Sequence, residues 1–313
     1  MSNATQSQTT INERGTMERV ILSTVTTVPC CVFVFINGTM LFSLRSKPVF
    51  RETSRYILLY NLLFADTVQL VHGQVLYILA ACRIMLTYPV CGVLTMIANL
   101  TNEISPLTLV VMSLERYVAV CYPLRHATII TIRNTGVAIT VVWAFSSLNV
   151  LTRVLLLLNF PFEELQSLQM KDFCSDIAML IGPLSDHYNK AYTYFLFVSA
   201  SVVITSSYIG VMVAARSAST DKASARKARH TLLLHLLQLV LSLLSTVHNP
   251  LLTAIAKVLN KIGLVRIQIA VYVCVVIFPR CLSALIYGIR DQTIRPILMY
   301  HLCCRLKLSV NPA

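Results

Sequence analysis

The run from Val137 to Leu158 reads VAITVVWAFSSLNVLTRVLLLL, and it decides the fold of this chain. A helix needs roughly 20 mostly apolar residues to cross the hydrocarbon core of a bilayer, and this run is long enough. A strand of a membrane β-barrel would alternate apolar and polar residues over about ten positions, whereas this run is apolar on every helical face. The run therefore predicts a membrane-spanning helix.

Further runs of the same kind occur along the whole chain. Its 313 residues are 56% hydrophobic and only 12% charged, with a mean hydropathy of +0.70, which is far too apolar for a water-soluble globule. The loops between the runs are short, so one bundle accounts for the chain. We predict an all-α membrane protein, a seven-transmembrane helical bundle. The predicted spans are at about residues 20–44, 56–82, 90–115, 134–158, 190–215, 230–256 and 264–289.

Lysine and arginine residues are unequally divided between the two sides of this bundle. Sixteen lie in the segments on one side and eight on the side of the N-terminus, while Arg153 and Arg280 lie within spans. Because cytoplasmic loops carry the excess of positive charge, the N-terminus is expected outside and the C-terminus in the cytoplasm. Residues 1–19 then form an extracellular tail, and residues 290–313 form a cytoplasmic tail with a short amphipathic helix. We expect no cleavable signal peptide, because the first nineteen residues are polar.

Several residues outside the spans are candidates for covalent modification. Asn3 begins a glycosylation sequon in the extracellular tail. Cys91 and Cys174 both lie on the outer, oxidising side, where they either pair or remain two free thiols. Cys303 and Cys304 follow the amphipathic stretch at the inner side, where cysteines are often palmitoylated.

The string MSLERYVAVCYPLRH occupies residues 112–126, where the third span ends. It brings Arg116 beside Glu115 at the rim of the bilayer, where charges are rarely without a function. The guanidinium of Arg116 offers a planar fork of donors, so it can form a charge-assisted pair with Glu115. An outward movement of the sixth helix would release this pair. In the alternative interpretation, Arg116 only reaches out to the lipid headgroups.

Four motifs in order resemble those of the odorant receptors, a family of rhodopsin-like (class A) G-protein-coupled receptors. The resemblance covers about residues 37–290, and departures such as Ser283-Ala284, where the family has Asn-Pro, resemble its fish and amphibian branch. The matching motifs are Asn61 to Asp66 in the second span, Glu115 to His126 in the third, Lys227, Ala228, Thr231 and His235 at the start of the sixth, and Pro279 to Arg290 in the seventh.

The resemblance implies a multi-pass receptor of the plasma membrane that serves the sensory perception of smell. Its ligand would be a small odorant or a water-borne molecule, and its partner a heterotrimeric G protein of the olfactory, stimulatory type that activates adenylyl cyclase. The basic second and third inner loops are positioned to meet such a partner, and they also attract anionic membrane lipids. By resemblance, the activation switch comprises Glu115, Arg116, Tyr117, Tyr208 and Tyr287.

Asp66 lies near the middle of the second span, where a carboxylate must be neutral, paired or solvated. By resemblance, its neighbours are Asn37 in the first span and Ser283 in the seventh. The three residues form either a pocket for water and a sodium ion or a purely structural polar cluster. We expect no other cofactor and no further metal site.

Three polar residues of the third span, Asn99, Asn102 and Glu103, follow at spacings of three and four and therefore share one helical face. The resemblance puts the odorant cavity at this depth. Glu103 and Arg153 in the fourth span are charges at comparable depth, and they either pair with each other or bind the two ends of a zwitterionic or charged ligand. The predicted ligand-binding set also includes Tyr192, His248, Asn249 and Tyr272.

Other classes of protein are less consistent with the sequence. The net charge of +13 follows the loops and forms no stripe with interleaved aromatic residues, which argues against a nucleic-acid partner. A transporter would favour an internal repeat of broken spans, and no repeat is visible. An enzyme would need convergent groups, and His230 and His235 are five apart, off the shared face of a metal pair. The alternatives that remain are a non-olfactory class A receptor for a small water-soluble ligand and a small-solute transporter.

Overall fold

The computed structural model describes the chain except for residues 1, 160–167, 171, 219–232, 234–235, 246, 249–250, 253–254, 256–266, 268–269, 292 and 303–313. Side chains are described from residue 23 onward, without those of residues 215–218, 289–290, 297 and 300–302. The predicted site residues Asn249, Cys303 and Cys304, together with the side chain of Asn3, lie outside this description.

The described residues are almost entirely helical. A π-helical segment, Tyr272–Ile277, leads directly into the last long helix, and short helical turns at Pro48–Arg51 and His126–Ile129 lie in the loops. The main helices are α1 (Ser2–Ser46), α2 (Ser54–Ala81), α3 (Tyr88–Cys121), α4 (Ile132–Leu158), α5 (Pro183–Ala218), α6 (Leu236–Ser245), α7 (Phe278–Arg290) and α8 (Ile294–Leu302).

Five of these helices are long and apolar enough to cross a membrane, namely α2, α3, α4, and the parts Ser23–Ser46 of α1 and Pro183–Ala214 of α5. Shorter apolar helices, Leu236–Ser245 and Tyr272–Gly288, lie where the sequence predicts the sixth and seventh spans. Many large apolar side chains of the spans point outward, as they must in contact with lipid: Phe35 is 59% exposed and Val141 61%. The described helices agree with a seven-helix bundle.

Helix α3 lies at the centre of the bundle and contacts α2, α4 and α5. A polar chain crosses this centre: Nε1 of Trp143 in α4 donates to Oδ1 of Asn61 in α2 at 2.9 Å, and Nδ2 of Asn61 donates to Oγ1 of Thr108 in α3 at 2.9 Å. Interhelical hydrogen bonds of this kind fix the relative positions of spans, because polar groups in an apolar interior need partners.

Three helix boundaries differ clearly from the predicted ones. Helix α1 begins at Ser2, well before the predicted start of the first span at about residue 20, so the predicted tail is helical. The third span was predicted to end at residue 115, but α3 continues to Cys121, so Glu115 and Arg116 lie inside the helix near its end. Helix α5 begins at Pro183, inside the predicted outer loop. Its first turns are polar and carry the i, i+4 pair of Asp186 and Lys190, with Nζ and Oδ2 2.5 Å apart. Such turns are helical without being apolar, so hydropathy misses them.

The second outer loop is fastened to the start of α3. Cys91 and Cys174 form a disulfide with their Cα atoms 5.6 Å apart, which confirms the predicted pairing. The backbone N–H of Met170 donates to the carbonyl of Leu86 at 3.1 Å, and Cys91 is fully buried against this loop. The loop is therefore held over the end of the bundle that the charge distribution predicts to be extracellular, hereafter the outer end.

Candidate functional site

A polar cluster between α3, α4 and α5 surrounds Glu103, which is only 4% exposed. The hydroxyl of Tyr192 donates to Oε2 of Glu103 at 2.8 Å, and Nδ2 of Asn149 donates to Oε1. The hydroxyl of Tyr188 in turn donates to Oδ1 of Asn149 at 2.8 Å. The buried carboxylate is thus held by two neutral donors from two neighbouring helices.

Arg153 belongs to the same region but has its own partners. Its Nη1 lies 3.5 Å from Oδ1 of Asp176 in the second outer loop, and its Nη2 donates to Oδ1 of Asn189 at 2.7 Å. Oδ1 of Asp176 also accepts a hydrogen bond from Nδ2 of Asn99 at 2.8 Å. Glu103 and Arg153 form no ion pair within 4 Å, so of the two alternatives for these charges the structure does not show direct pairing.

Four of the predicted ligand-binding residues converge at the outer end: Asn99, Glu103, Arg153 and Tyr192. The others that the structure describes lie elsewhere. Asn102 turns toward α7, as described below, and Tyr272 packs with Cys30 and Leu70 against α1 and α2. Nδ1 of His248 lies 3.0 Å from the carbonyl oxygen of Ser245, close to the end of α6.

The sequence reasoning missed four members of this cluster: Asn149, Asp176, Tyr188 and Asn189. Asn149 lies four residues before Arg153 and hence on the same face of α4, a signal that was available in the sequence. Tyr188 and Asn189 were missed because the fifth span was predicted to begin only at residue 190. Asp176 follows Cys174 by two residues, so the disulfide carries it over α3, which only the pairing of the cysteines reveals.

A second polar centre lies deeper in the bundle around Asp66, which is 1% exposed. Its Oδ1 accepts a hydrogen bond from Oγ of Ser105 at 2.7 Å and lies 3.8 Å from Nη1 of Arg280. Nη2 of Arg280 donates to Oδ1 of Asn102 at 2.7 Å. The predicted neighbours are close to α7 as well: Nδ2 of Asn37 donates to the carbonyl oxygen of Arg280 at 3.3 Å.

Ser283 has a partner other than Asp66. Its Oγ accepts a hydrogen bond from Nε2 of Gln238 in α6 at 2.6 Å, and both residues are buried. Of the predicted trio, Asn37 and Asp66 therefore both contact Arg280, whereas Ser283 is paired with Gln238.

The third group of predicted residues lies at the opposite, inner end of the bundle. Nε of Arg116 is 3.2 Å from Oε2 of Glu115, and Nη2 of Arg116 is 3.4 Å from the hydroxyl of Tyr287. Nε2 of His126 lies 3.8 Å from the other carboxylate oxygen of Glu115. The ring of Tyr117 packs so closely on Gly210 of α5 that a Cβ atom there would collide with it.

A narrow cleft that is partly open to solvent lies beside Arg116. Its polar lining includes Arg116, Tyr208 and Tyr287, and its walls are apolar side chains of α3, α5 and α6, among them Leu109 and Leu239. Four members of the predicted switch, Glu115, Arg116, Tyr208 and Tyr287, therefore meet in or next to one cleft.

The sequence agrees with known receptors over most of its length. Residues 36–287 match the family of 7 transmembrane receptors (rhodopsin family). The chain is similar to Odorant receptor 131-2 of Danio rerio, with 31% identity over 274 residues, covering 87% of this chain and 83% of that protein. It is also similar to Olfactory receptor 1M1 of Homo sapiens, with 24% identity over 186 residues and 58% of each chain covered.

The family match and the relative from Danio rerio agree with the helical fold. They also agree with a protein that crosses the plasma membrane several times and is not an enzyme. The chain belongs to the rhodopsin family of seven-transmembrane receptors and, within that family, to the odorant receptors.

Proposed function

We propose that the chain is a chemosensory receptor that couples a small ligand at the outer polar cluster to a stimulatory G protein at the inner cleft, and so to adenylyl cyclase. One observation carries this proposal: Glu103 and Arg116 lie on the same continuous helix, α3, and each belongs to a polar cluster at one end of the bundle. Pro106 lies inside α3 between these two residues and removes a backbone hydrogen bond, so we expect a change at the outer end to alter the course of α3 toward Arg116.

The outer cluster favours a ligand that carries an ammonium group. The carboxylate of Glu103 is bound by two neutral donors, and in the described part of the chain no cation lies within 4 Å of it. A buried carboxylate gains from a cation that enters its surroundings, because an unpaired charge away from water is unfavourable. We therefore expect amines or amino acids to bind, with Tyr192 and Asn149 orienting the carboxylate.

Arg153 and Asp176 help the receptor to distinguish amino acids from simple amines. Nε of Arg153 has no hydrogen-bond partner among the described residues, so the guanidinium keeps a donor that can bind a ligand carboxylate. An amino acid would then place its ammonium group near Glu103 and its carboxylate near Arg153. A simple amine would use Glu103 alone, so the relative potency of the two ligand types reports on Arg153.

At the inner end, the proposed switch is the pair of Glu115 and Arg116. The charge of Arg116 is already engaged by Glu115 and Tyr287, and the cleft beside it is walled by apolar side chains. We expect a helix of a G protein with an apolar face to enter this cleft once the cleft has widened and Arg116 has left Glu115. For signalling, the ligand must bind more tightly to the conformation with an open inner cleft than to the conformation with a closed one.

The proposal is tested by screening amino acids, amines, bile acids and small volatiles against a cAMP reporter in cells that supply a stimulatory G protein. We expect responses to ligands with an ammonium group, and loss of these responses in Arg116→Ala at unchanged surface expression. Responses that persist in Arg116→Ala would remove the proposed switch, and responses confined to neutral volatiles would remove the proposed ligand class. Glu52→Gln, a change in the first inner loop, serves as the control for altered charge.

A further inference from the structure

Arg280 is a charged side chain that lies inside the bundle without access to water. It belongs to the seventh span, only 5% of its surface is exposed, and Asp66 beside it is 1% exposed. Charged residues at such a depth are expensive unless they are paired, and they mark functional positions.

The contacts of the guanidinium connect three helices. Nη1 lies 3.8 Å from Oδ1 of Asp66 in α2, and Nη2 donates to Oδ1 of Asn102 in α3 at 2.7 Å. The main-chain carbonyl of the same residue accepts from Nδ2 of Asn37 in α1 at 3.3 Å. A single residue of α7 is therefore tied to all three of the first helices of the bundle.

The same geometry decides whether Asp66 can hold a sodium ion. A hard cation requires several oxygen ligands around it, and the carboxylate of Asp66 would have to be the charged one. Oδ1 of Asp66 already accepts from Ser105 at 2.7 Å and faces the guanidinium. A sodium ion bound to Asp66 would lie next to the buried guanidinium of Arg280. Two like charges so close together repel strongly when both are shielded from water. The residues around Asp66 do not fit a sodium ion while Arg280 holds this position.

We propose that Arg280 is the permanent counter-cation of Asp66, replacing a bound sodium ion, and that through Asn102 it links this centre to the polar face of α3. The receptor then needs no sodium for the stability of its bundle. The two charges compensate each other, so removing either one alone leaves a buried charge without its partner. Removing both leaves a neutral site.

The experiment is a thermal unfolding series on the purified receptor in lipid nanodiscs. Each protein is measured in sodium chloride and in choline chloride at the same ionic strength, about 0.15 M. The wild type is compared with Arg280→Met, Asp66→Asn and the double variant that carries both changes. Arg153→Met is the matched control, because its arginine pairs with a loop carboxylate and not with Asp66.

The proposal predicts the same Tm for the wild type in both salts. In Arg280→Met the carboxylate of Asp66 has lost its cation, so sodium should now raise the Tm above the value in choline by about 3 °C or more. The double variant should unfold at a higher temperature than Arg280→Met and should show no sodium effect. Arg153→Met should show none either.

Two results would overturn the proposal. The first is a wild-type receptor whose Tm rises with sodium, since its site would then be open. The second is a double variant that is less stable than both single variants, since the two charges would then not compensate each other. If Arg280→Met cannot be purified, the wild type in the two salts still decides the matter, because a Tm that rises with sodium overturns the proposal.

Discussion

Nη2 of Arg116 lies 3.4 Å from the hydroxyl of Tyr287, although the two residues are on α3 and α7. Tyr287 is 2% exposed, and the guanidinium of Arg55 lies over its ring at 5.4 Å from the centroid. Tyr287 of the seventh helix thus lines the inner cleft even though Ser283-Ala284 occupies the position of the Asn-Pro pair that the resemblance leads us to expect. Arg116 is consequently restrained from two sides, by the carboxylate of Glu115 and by Tyr287.

This double restraint makes a prediction about resting activity. Glu115→Gln removes the ion pair of Arg116 and should raise ligand-independent cAMP by up to roughly fivefold, the effect of about 1 kcal/mol for a partly exposed pair. Tyr287→Phe removes only the longer hydrogen bond and should act in the same direction but less. Glu52→Gln is the control, because it removes the charge of an exposed carboxylate in the first inner loop. Unchanged basal cAMP in Glu115→Gln at equal surface expression would contradict the restraint.

The ligand proposal is tested most sharply at Glu103. Glu103→Gln keeps the shape of the side chain but removes its charge, so potency for ligands with an ammonium group should fall at least about tenfold, which corresponds to about 1.4 kcal/mol. Potency for uncharged ligands should change less. The measurement is a set of cAMP dose–response curves with surface expression recorded in parallel. Loss of surface expression with unchanged ligand ranking would make Glu103 a structural residue.

The disulfide between Cys91 and Cys174 should stabilise the outer end. Cys91→Ser and Cys174→Ser should each lower the free energy of unfolding by about 2–5 kcal/mol, and the double variant should be no worse than either single one. Thermal unfolding of the purified receptor measures this. Cys82→Ser, at an exposed free cysteine, should be nearly neutral. A double variant clearly less stable than both single ones would mean that the two sulfurs act separately.

Gly73 is required by the close approach of Tyr272. A Cβ atom at Gly73 would collide with the hydroxyl of Tyr272, so Gly73→Ala should destabilise the bundle by about 1–3 kcal/mol. Gly136→Ala in α4 is the matched control, since nothing lies within 4 Å of its Cβ position. This control should be neutral or stabilising, by up to about 1 kcal/mol, because alanine favours helices. Equal Tm values for the two variants would show that Tyr272 moves aside freely.

The predicted orientation is open to a direct biochemical test. If the N-terminus is extracellular, Asn3 should be glycosylated, and Asn3→Gln should abolish the mass shift that a glycosidase produces. Asn37 and Asn99 also begin sequons, but both lie within candidate membrane spans, Ser23–Ser46 and Tyr88–Cys121, so their replacement by Gln should leave the shift unchanged. An epitope inserted between α3 and α4 should be stained only in permeabilised cells. Staining of intact cells would place Arg116 on the wrong side of the membrane.

Five of the predicted spans coincide with long apolar helices of the structure, because burial in lipid demands long apolar runs. Polar helical turns were missed for the same reason: α5 begins at Pro183, and α3 continues past Arg116. The pairing of Cys91 with Cys174 was predictable because both lie on the oxidising side. In these cases a local physical property of the sequence determines the answer.

The partners of the buried charges were harder to predict. Glu103 and Arg153 lie at similar depth, yet Arg153 pairs with Asp176 because the disulfide brings that loop residue close. Arg280 was recognised as a charge within a span, but its pairing with Asp66 depends on how α2 and α7 are rotated toward each other. Depth can be read from the sequence, whereas the rotation of a helix that is apolar on all faces cannot.

The central claim is that binding at the outer cluster controls access of a G protein to Arg116. The most direct measurement uses the purified receptor in nanodiscs with purified stimulatory G protein, and follows nucleotide exchange with and without an ammonium ligand found in the screen. We predict that the ligand accelerates nucleotide exchange on the G protein when the wild-type receptor is present. With Arg116→Ala there should be no acceleration, although this variant still binds the ligand. Equal acceleration by both proteins, or none by a wild type that binds the ligand, would contradict the account.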